Sequence, residues 1–290
     1  MMIPSAFINA KIFLINESEL IPMHFGLYLK GGGAKGAFQA GLLCAFWQRG
    51  VTYSVIGGTS IGAIHGWYVL HDAYKELEEL YTTNDGALAD FSISGKVLDN
   101  STLIHRLKEI DKPRNPEIRN FYVNYVAVNG STLQEKTEEI AKLDEANALD
   151  RIRWSALLPL NQPKKMTFEE YVRYAGRHDL EEKFAQDLED QVYDGIHLDG
   201  GIVNNRIIPG IFDHSNERII ALGYNGTREE YLNTLTDLEQ SHREKIVYIS
   251  SDEAFKATDT YNFKPEFLKK RFKEGYEKGI DFPLIRLVSS

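Results

Sequence analysis

Several features that mark specialised classes of protein are scarce or missing in this sequence. Among its 290 residues there is one cysteine, Cys44, so no disulfide can form within the chain and folding does not depend on an oxidising compartment. No apolar run approaches the roughly 18 residues that a transmembrane helix needs. The net charge of −9 argues against a general nucleic-acid binder. An acidic total still permits contact with a membrane through a small basic or apolar face.

The N-terminal residues, 1–24, lack the basic n-region of a signal peptide, and Lys11, Asn16 and Glu17 interrupt their apolar residues. We interpret them as an N-terminal extension, which is either an additional edge strand or a non-native start upstream of Met23. The expected location is the cytoplasm, including the surface of a membrane. A protein secreted as an effector is the alternative.

The informative part of the chain lies between Phe25 and Val69. A short apolar run, Phe25–Leu29, ends in glycines, which is the pattern of a buried strand. The glycine-rich loop after it consists of Gly31, Gly32, Gly33, Ala34, Lys35 and Gly36. A helix is predicted from there to about Arg49, and a second strand, Tyr53–Ile56, leads into the pentapeptide GTSIG at residues 58–62.

This pentapeptide has the form G-x-S-x-G, with Gly58 and Gly62 on either side of Ser60. A serine on a sharp strand-to-helix turn has an exposed hydroxyl, and the small flanking residues let strand and helix pass closely. The glycine loop offers free N–H groups at a neighbouring helix N-terminus, which suits an oxyanion hole. No Asp or Glu lies between His24 and His71, so the local field favours developing negative charge.

The order GGGAKG, GTSIG and Asp199-Gly200-Gly201 resembles the motif order of the patatin-like phospholipase family. The resemblance implies an α/β fold with three α/β/α layers around a central, mainly parallel sheet. It also implies a catalytic dyad in which Asp199 is the base for Ser60, while Gly200 and Gly201 let the carboxylate approach the hydroxyl. The segment Ser155–Pro159 is similar to a small-residue segment that packs under the active site in this family.

For the oxyanion hole, the resemblance implies the backbone of residues 31–36, chiefly the N–H groups of Gly32, Gly33 and Ala34. Lys35 stands where the family often has arginine, so it either caps the loop, meets a lipid phosphate or is an exposed charge at a helix start. Lys30 departs from the small residue often found before the glycines.

In function, the resemblance implies a serine acyl hydrolase of phospholipids, lysophospholipids or related lipid esters that works through an acyl-serine. No metal or other cofactor is expected. The expected partners are the lipid substrate and, transiently, a membrane surface, with a protein activator as a further candidate and no nucleic acid.

We expect one patatin-like domain over residues 25–290, with a helical insertion around residues 162–190 that is either a lid, a partner-binding element or a surface helix pair. Outside the motifs, the predicted elements are helices at Ile61–Leu80, Lys136–Leu149 and Arg228–His242, a strand at Phe121–Val128, and a strand pair at Gln191–Leu198 that delivers Asp199. Thr132–Gln134 is a candidate for the strand that answers Phe121–Val128 across the Asn129-Gly130 turn.

Two other classes remain open at this point. An α/β-hydrolase triad could be formed by Ser60, Asp199 and either His214 or His242. His65 lies on the helix that follows the GTSIG turn, here called the elbow, and is expected to point into packing or solvent. A nucleotide-binding module is the second alternative, because residues 31–36 satisfy G-x-G-x-x-G. That fingerprint needs an acid about 20 residues later to hold the ribose, and no acid occurs before Asp72.

Overall fold

The computed structural model describes residues 24–83, 92–161, 179–214 and 218–284, with residues 170, 173, 174 and 287 in addition. The N-terminal extension apart from His24, and most of residues 162–178, lie outside this part of the chain. The strands are β1 His24–Leu29, β2 Thr52–Gly58, β3 Ser92–Ser94, β4 Val97–Asp99, β5 Asn120–Asn129, β6 Thr132–Glu139, β7 His197–Asp199, β8 Ile219–Leu222 and β9 Ile246–Ile249. The helices are α1 Gly36–Gln48, α2 Ile61–Leu70, α3 Tyr74–Thr82, α4 Ser101–Lys108, α5 Glu145–Ser155, α6 Leu180–Glu189, α7 Gly210–His214, α8 Arg228–Leu232, α9 Asp237–Gln240 and α10 Pro265–Asp281.

The central sheet has the strand order β6-β5-β2-β1-β8-β9, with β7 paired to β5 outside this order. The pairs from β5 through β2, β1 and β8 to β9 are parallel. β6 and β7 both run antiparallel to β5. The prediction of a mainly parallel central sheet is therefore confirmed.

Helices cover both faces of this sheet. Along β1, Leu27 and Leu29 belong to a core cluster formed with α1, α2 and α10, whereas Tyr28 belongs to a second cluster with residues of α7 and α8. Adjacent side chains of a strand point to opposite faces, so the two clusters are separate layers of packing. This arrangement confirms the three-layer α/β/α fold. Cys44 is buried in α1, as expected of a helix packed on a core.

β2 and β7 share one edge of β5, and this positions the two motifs. β6 pairs along its whole length with the other edge of β5. Gly58, at the end of β2, pairs with Val123, and Asp199, at the end of β7, pairs with Tyr125. Two strands that approach each other along one edge bring the turn after Gly58 next to Asp199.

Three helix predictions are wrong in their extent. The helix expected at Ile61–Leu80 is broken between α2 and α3, where Asp72 has a φ of 48°. Residues 136–139 belong to β6, which pairs with β5 as far as Glu139, and α5 begins only at Glu145 after its cap residue Asp144. The helix expected at Arg228–His242 is divided into α8 and α9.

The strand pair expected at Gln191–Leu198 is also wrong. Residues 191–195 form turns, with Gln191 at a φ of 55° and Gly195 at 74°. Only β7 follows, and its partner is β5 rather than an adjacent strand of a hairpin. Of the predicted insertion, α6 is described, and Asp179 caps it by accepting hydrogen bonds from the N–H groups of Glu181 and Glu182.

Candidate active site

Ser60 occupies a strained turn between β2 and α2, with φ 57° and ψ −125°. A non-glycine residue in this region signals strain that the surrounding structure must hold in place. A Cβ added to Gly62 would lie 2.0 Å from the carbonyl oxygen of Leu29, so only glycine lets α2 pass this close to β1. The N–H of Ser60 donates to Oγ of Ser155 at 2.9 Å, which anchors the turn from the segment predicted to pack beneath it.

Asp199 is 3% exposed at the end of β7. Its Oδ1 accepts a 2.7 Å hydrogen bond from the N–H of Gly201, and the side chain of Ser60 lies close enough to lower the pKa of the carboxyl. Burial raises the pKa of Asp199 from 3.8 to about 6, and the nearby Ser60 side chain and the N–H of Gly201 oppose that rise only in part. A carboxyl with a pKa near neutrality is suited to accept and return a proton.

The glycine loop contacts neighbouring elements closely at Gly31 and at Gly33. The side chain of Asn205 accepts from the N–H of Gly31 at 2.8 Å and donates to its carbonyl at 3.1 Å. Gly33 has a φ of 54°, and an added Cβ would lie 2.4 Å from the carbonyl oxygen of Thr260. Within the described residues, the N–H groups of Gly32, Gly33 and Ala34 have no acceptor. These three groups are therefore available to a ligand.

Lys30, just before the glycine loop, and Lys35, within it, are partly buried, and burial lowers the pKa of each. Lys35 also feels the charge of Lys30, which lowers its pKa further, and its Nζ lies 5.6 Å from the ring centroid of Tyr224. Lys35 is thus held against the loop and the ring of Tyr224, which argues against the alternative of a simple exposed charge. Whether it meets a phosphate stays a prediction.

A buried polar network lies behind the loop, and the sequence interpretation missed it. Gln39 donates through Nε2 to the carbonyls of Leu222, at 3.1 Å, and Lys30, at 3.3 Å. Its Oε1 must then accept from Nδ1 of His65 at 2.7 Å, so Nε2 of His65 accepts from the hydroxyl of Tyr81 at 2.7 Å. Burial lowers the pKa of His65 to about 3. A lone glutamine in an otherwise apolar helix segment was the signal available.

A second network supports the elbow from the opposite side. The hydroxyl of Thr59 donates to Oδ1 of Asn124 at 2.7 Å. Nδ2 of Asn124 in turn donates to the carbonyl of Asn204 at 2.9 Å and to the carboxylate of Glu135 at 3.2 Å. An added Cβ on Gly200 would lie 2.5 Å from the carbonyl of Asn124, which explains this glycine beside Asp199. The strand β5 thus ties the elbow to the Asp-Gly-Gly turn.

Histidine side chains in the described part of the chain have other partners than Ser60. His65 is held by Gln39 and Tyr81, and His242 stacks on Phe212 with ring centroids 4.8 Å apart. His197 stacks on Trp154 at 4.1 Å. The side chain of His214, the other candidate for a triad, lies outside the described residues. The expectation that His65 serves packing agrees with its surroundings.

The space directly beside Ser60 is narrow and apolar. A cavity of about 40 Å³ touches Ser60 and Gly33. Most of its wall comes from apolar side chains of α2, β4, α4 and the segment before α10: Ile61, Ile64, Leu98, Leu103 and Phe263. A carbonyl group reaching Ser60 from this side is therefore surrounded by hydrocarbon rather than by charges.

The chain belongs to the patatin-like phospholipase family, whose sequence model matches residues 27–210, more than half of its length. This match spans the glycine loop, the elbow and the Asp-Gly-Gly turn. It confirms the resemblance and puts the chain in a family of lipid ester hydrolases.

Curated relatives include a lysophospholipase of Aspergillus terreus, 48% identical over 48 residues, which are 17% of this chain and 3% of that protein. A lysophospholipase of Mycosarcoma maydis is 41% identical over 65 residues, which are 22% of this chain and 4% of that protein. The matched segments thus make up only 3% to 4% of the length of these relatives.

Solved structures with a related fold include VipD from Legionella pneumophila, with a TM-score of 0.47 and 14% identity, covering 89% of this chain and 66% of that one. The ExoU-SpcU complex from Pseudomonas aeruginosa matches with a TM-score of 0.33 and 14% identity, covering 89% of this chain and 52% of that one. Both scores lie below 0.5, so the family assignment depends on the sequence match.

No helix among the described residues is both long and apolar enough to cross a bilayer. Nor do three His, Cys, Asp or Glu side chains of that part of the chain group together in the manner of metal ligands.

Proposed function

We propose that this protein is a serine acyl hydrolase of phospholipids, lysophospholipids or related lipid esters, with Ser60 as nucleophile and Asp199 as its base. One observation carries the proposal: a serine on a strained turn lies beside a buried carboxylate whose pKa is raised to about 6. The adjacent N–H groups of the glycine loop support it. The family assignment points to the same substrate class.

Acylation follows from this geometry. The carboxylate of Asp199 accepts the proton of Ser60 as Oγ bonds to the ester carbonyl carbon. The carbonyl oxygen gains the negative charge and accepts hydrogen bonds from Gly32, Gly33 and Ala34, whose N–H groups have no acceptor among the described residues. When the tetrahedral intermediate breaks down, the leaving alcohol takes the proton from Asp199 and the acyl group remains on Oγ.

Deacylation repeats these steps with water. Asp199 accepts a proton from the water as its oxygen attacks the acyl carbon, and the same N–H groups hold the oxyanion. The C–Oγ bond then breaks, the proton returns to Ser60, and a fatty acid leaves. One buried carboxyl serves both half-reactions because its raised pKa lets it hold the proton between them.

The curated relatives are named as lysophospholipases, and this favours a lipid with a polar head group as substrate. Access to such a lipid requires at least transient contact with a membrane or micelle surface. We keep a protein activator, a cytoplasmic location and, alternatively, secretion as an effector as predictions. The single-domain organisation over residues 25–290 is likewise a prediction.

The test is hydrolysis of a p-nitrophenyl ester and of a lysophospholipid by the purified protein without added metal. Ser60→Ala and Asp199→Asn should each lose at least about a thousandfold in kcat, as is usual when members of a catalytic set are removed. The variants His65→Phe, His214→Ala and His242→Ala should still hydrolyse both esters. Loss of activity in His214→Ala or His242→Ala would overturn the dyad, because a histidine would then be the group that accepts the proton of Ser60.

A further inference from the structure

A second, larger cavity adjoins the candidate active site. The cavity beside Ser60 has a volume of about 40 Å³, close to the roughly 30 Å³ that one water molecule occupies in the liquid. It is too small for a fatty acyl chain. The second cavity, of about 510 Å³, begins at Gly201 and Ile202, next to Asp199, and extends along α6. Leu158 and Tyr261 form part of the wall of both cavities.

The wall of this larger cavity, here called the α6 groove, is largely apolar. It is contributed by β6, the segment after α5, α6 and the turn after Asp199, through side chains that include Leu133, Leu160, Leu180, Phe184 and Ile202. Ligand pockets typically have about 300 to 1,000 Å³ and predominantly hydrophobic linings. The α6 groove fits that description in volume and in chemistry.

Of the charged residues that the structure describes in its wall, Lys183 and Asp187 are paired with each other, and Glu181 is exposed in the first turn of α6. Lys183 donates to Asp187 at 3.1 Å, and Asn161 donates to the same carboxylate at 2.9 Å. The hydroxyl of Tyr193 lies 3.4 Å from the second oxygen of Asp187. Asp187 is 5% exposed and has three donors, so it does not call for a polar ligand. The occupant that the α6 groove favours is a hydrocarbon chain.

We propose that the α6 groove binds the acyl chain of the substrate, with the ester carbonyl at Ser60 and the hydrocarbon running past Gly201 and Ile202 along α6. This inference rests on the proposed acyl hydrolase function. It assigns α6, part of the insertion predicted at residues 162–190, to recognition of the chain. The protein then selects esters by chain length through residues remote from the dyad.

The first test compares kcat/KM for p-nitrophenyl butyrate and p-nitrophenyl decanoate. Leu180→Trp places a large side chain at the partly exposed end of the α6 groove, and Ala185→Trp places the same side chain on the exposed face of α6 as the matched control. We expect Leu180→Trp to lower the decanoate-to-butyrate ratio of kcat/KM at least about tenfold. This is the effect of losing the burial of roughly two methylene groups. Ala185→Trp should leave the ratio unchanged. Phe184→Trp serves as a second groove variant.

A binding measurement separates this inference from the proposed catalysis. Decanoate is titrated into Ser60→Ala and into Ser60→Ala combined with Leu180→Trp or Ala185→Trp. We expect the Leu180→Trp form to bind about tenfold more weakly, and the Ala185→Trp form to bind equally well. If esters are not hydrolysed but this pattern holds, the α6 groove stands and the catalytic proposal fails.

The converse result would overturn the inference. If the wild-type protein hydrolyses esters while both groove variants keep the same decanoate-to-butyrate ratio of kcat/KM as the control, the acyl chain of the substrate binds elsewhere. Equal decanoate binding by all Ser60→Ala forms would lead to the same conclusion. Circular dichroism and the thermal midpoint of each variant establish that it is folded before either comparison is made.

Discussion

Two buried aspartates, Asp199 and Asp187, have nearly the same exposure, 3% and 5%, but opposite surroundings. Asp187 is neutralised by Lys183 and hydrogen-bonded by Asn161 and Tyr193. Asp199 accepts a hydrogen bond from the backbone N–H of Gly201 and lies beside the hydroxyl of Ser60. No cation is among the causes of its pKa shift. A compensated carboxylate stabilises the fold, whereas an undercompensated one keeps a pKa suited to proton transfer at a cost in stability.

The pH dependence of activity gives the largest expected separation of the two aspartates. Asp199 can act as a base only when it is ionised, and its pKa is raised to about 6. The rate of ester hydrolysis should therefore rise about tenfold per pH unit below 6 and be roughly a hundredfold lower at pH 4 than at pH 8. Initial rates across this range, measured in quenched samples, provide the profile.

Asp187→Asn is the control for this profile. It should keep the midpoint, because Asp187 contacts neither Ser60 nor the glycine loop. A wild-type rate that stays constant down to pH 4, or a midpoint that moves in Asp187→Asn, would contradict the assignment of the base.

The stability of the two Asp-to-Asn variants sharpens the comparison further. The folded state binds the proton of Asp199 more tightly than the unfolded chain, because burial raises the pKa of this group from 3.8 to about 6. The free energy of unfolding must then fall as the pH rises from about 4 to about 6, and the deficit persists above that window. Asp199→Asn removes the deficit and should be more stable than wild type by about 1 to 3 kcal/mol at pH 8, but not at pH 4.

Asp187→Asn should change stability in the opposite direction. It leaves Lys183 without its carboxylate, and since Lys183 is itself a third exposed, we expect a loss of about 1 to 2 kcal/mol rather than the full cost of an orphaned buried charge. Urea unfolding of wild type and both variants at pH 4 and pH 8 measures all four differences. If both variants are destabilised equally at pH 8, the contrast between the two sites is wrong.

The part of the site that could be predicted from the sequence is contiguous in the chain. β1, the glycine loop, α1, β2 and the elbow follow one another between His24 and Leu70, and each boundary is marked locally by a glycine or by the end of an apolar run. The Asp-Gly-Gly turn was placed beside them by a family resemblance. The pairing that delivers Asp199, antiparallel on the edge of β5, has no local signature, so a hairpin at Gln191–Leu198 was predicted instead.

The wrong predictions share a physical cause. Lys136–Leu149 is rich in strong helix formers, but its first four residues pair with β5, and the pairing of β6 along that strand outweighs the local propensity. The break after Leu70 depends on the left-handed conformation of Asp72, without a glycine or proline to announce it. Hydrogen bonds such as that from the N–H of Ser60 to Oγ of Ser155 join residues far apart in sequence, so local sequence patterns do not predict them.

Gln39 gives the smallest expected effect and extends the comparison to a buried polar group without charge. Its amide holds the carbonyl of Lys30, which also accepts from the hydroxyl of Tyr224 at 2.9 Å, so two donors fix the start of the glycine loop. Gln39→Leu removes one donor and leaves Nδ1–H of His65 without its acceptor. The loop should then lose alignment with the oxyanion, lowering kcat about fivefold with little change in KM, since one hydrogen bond is worth about 1 kcal/mol.

The matched control for Gln39→Leu is His65→Phe combined with Tyr81→Phe, which removes the rest of the network but keeps the amide on Lys30. If the network acts only by stabilising the core, both variants should lower the thermal midpoint and leave kcat unchanged at a temperature where they are folded. If Gln39 positions the loop, kcat falls only when the Lys30 contact is lost. The buried charge of Asp199 would then perform the proton transfer, while an uncharged amide at a comparable depth sets the geometry in which that transfer is useful.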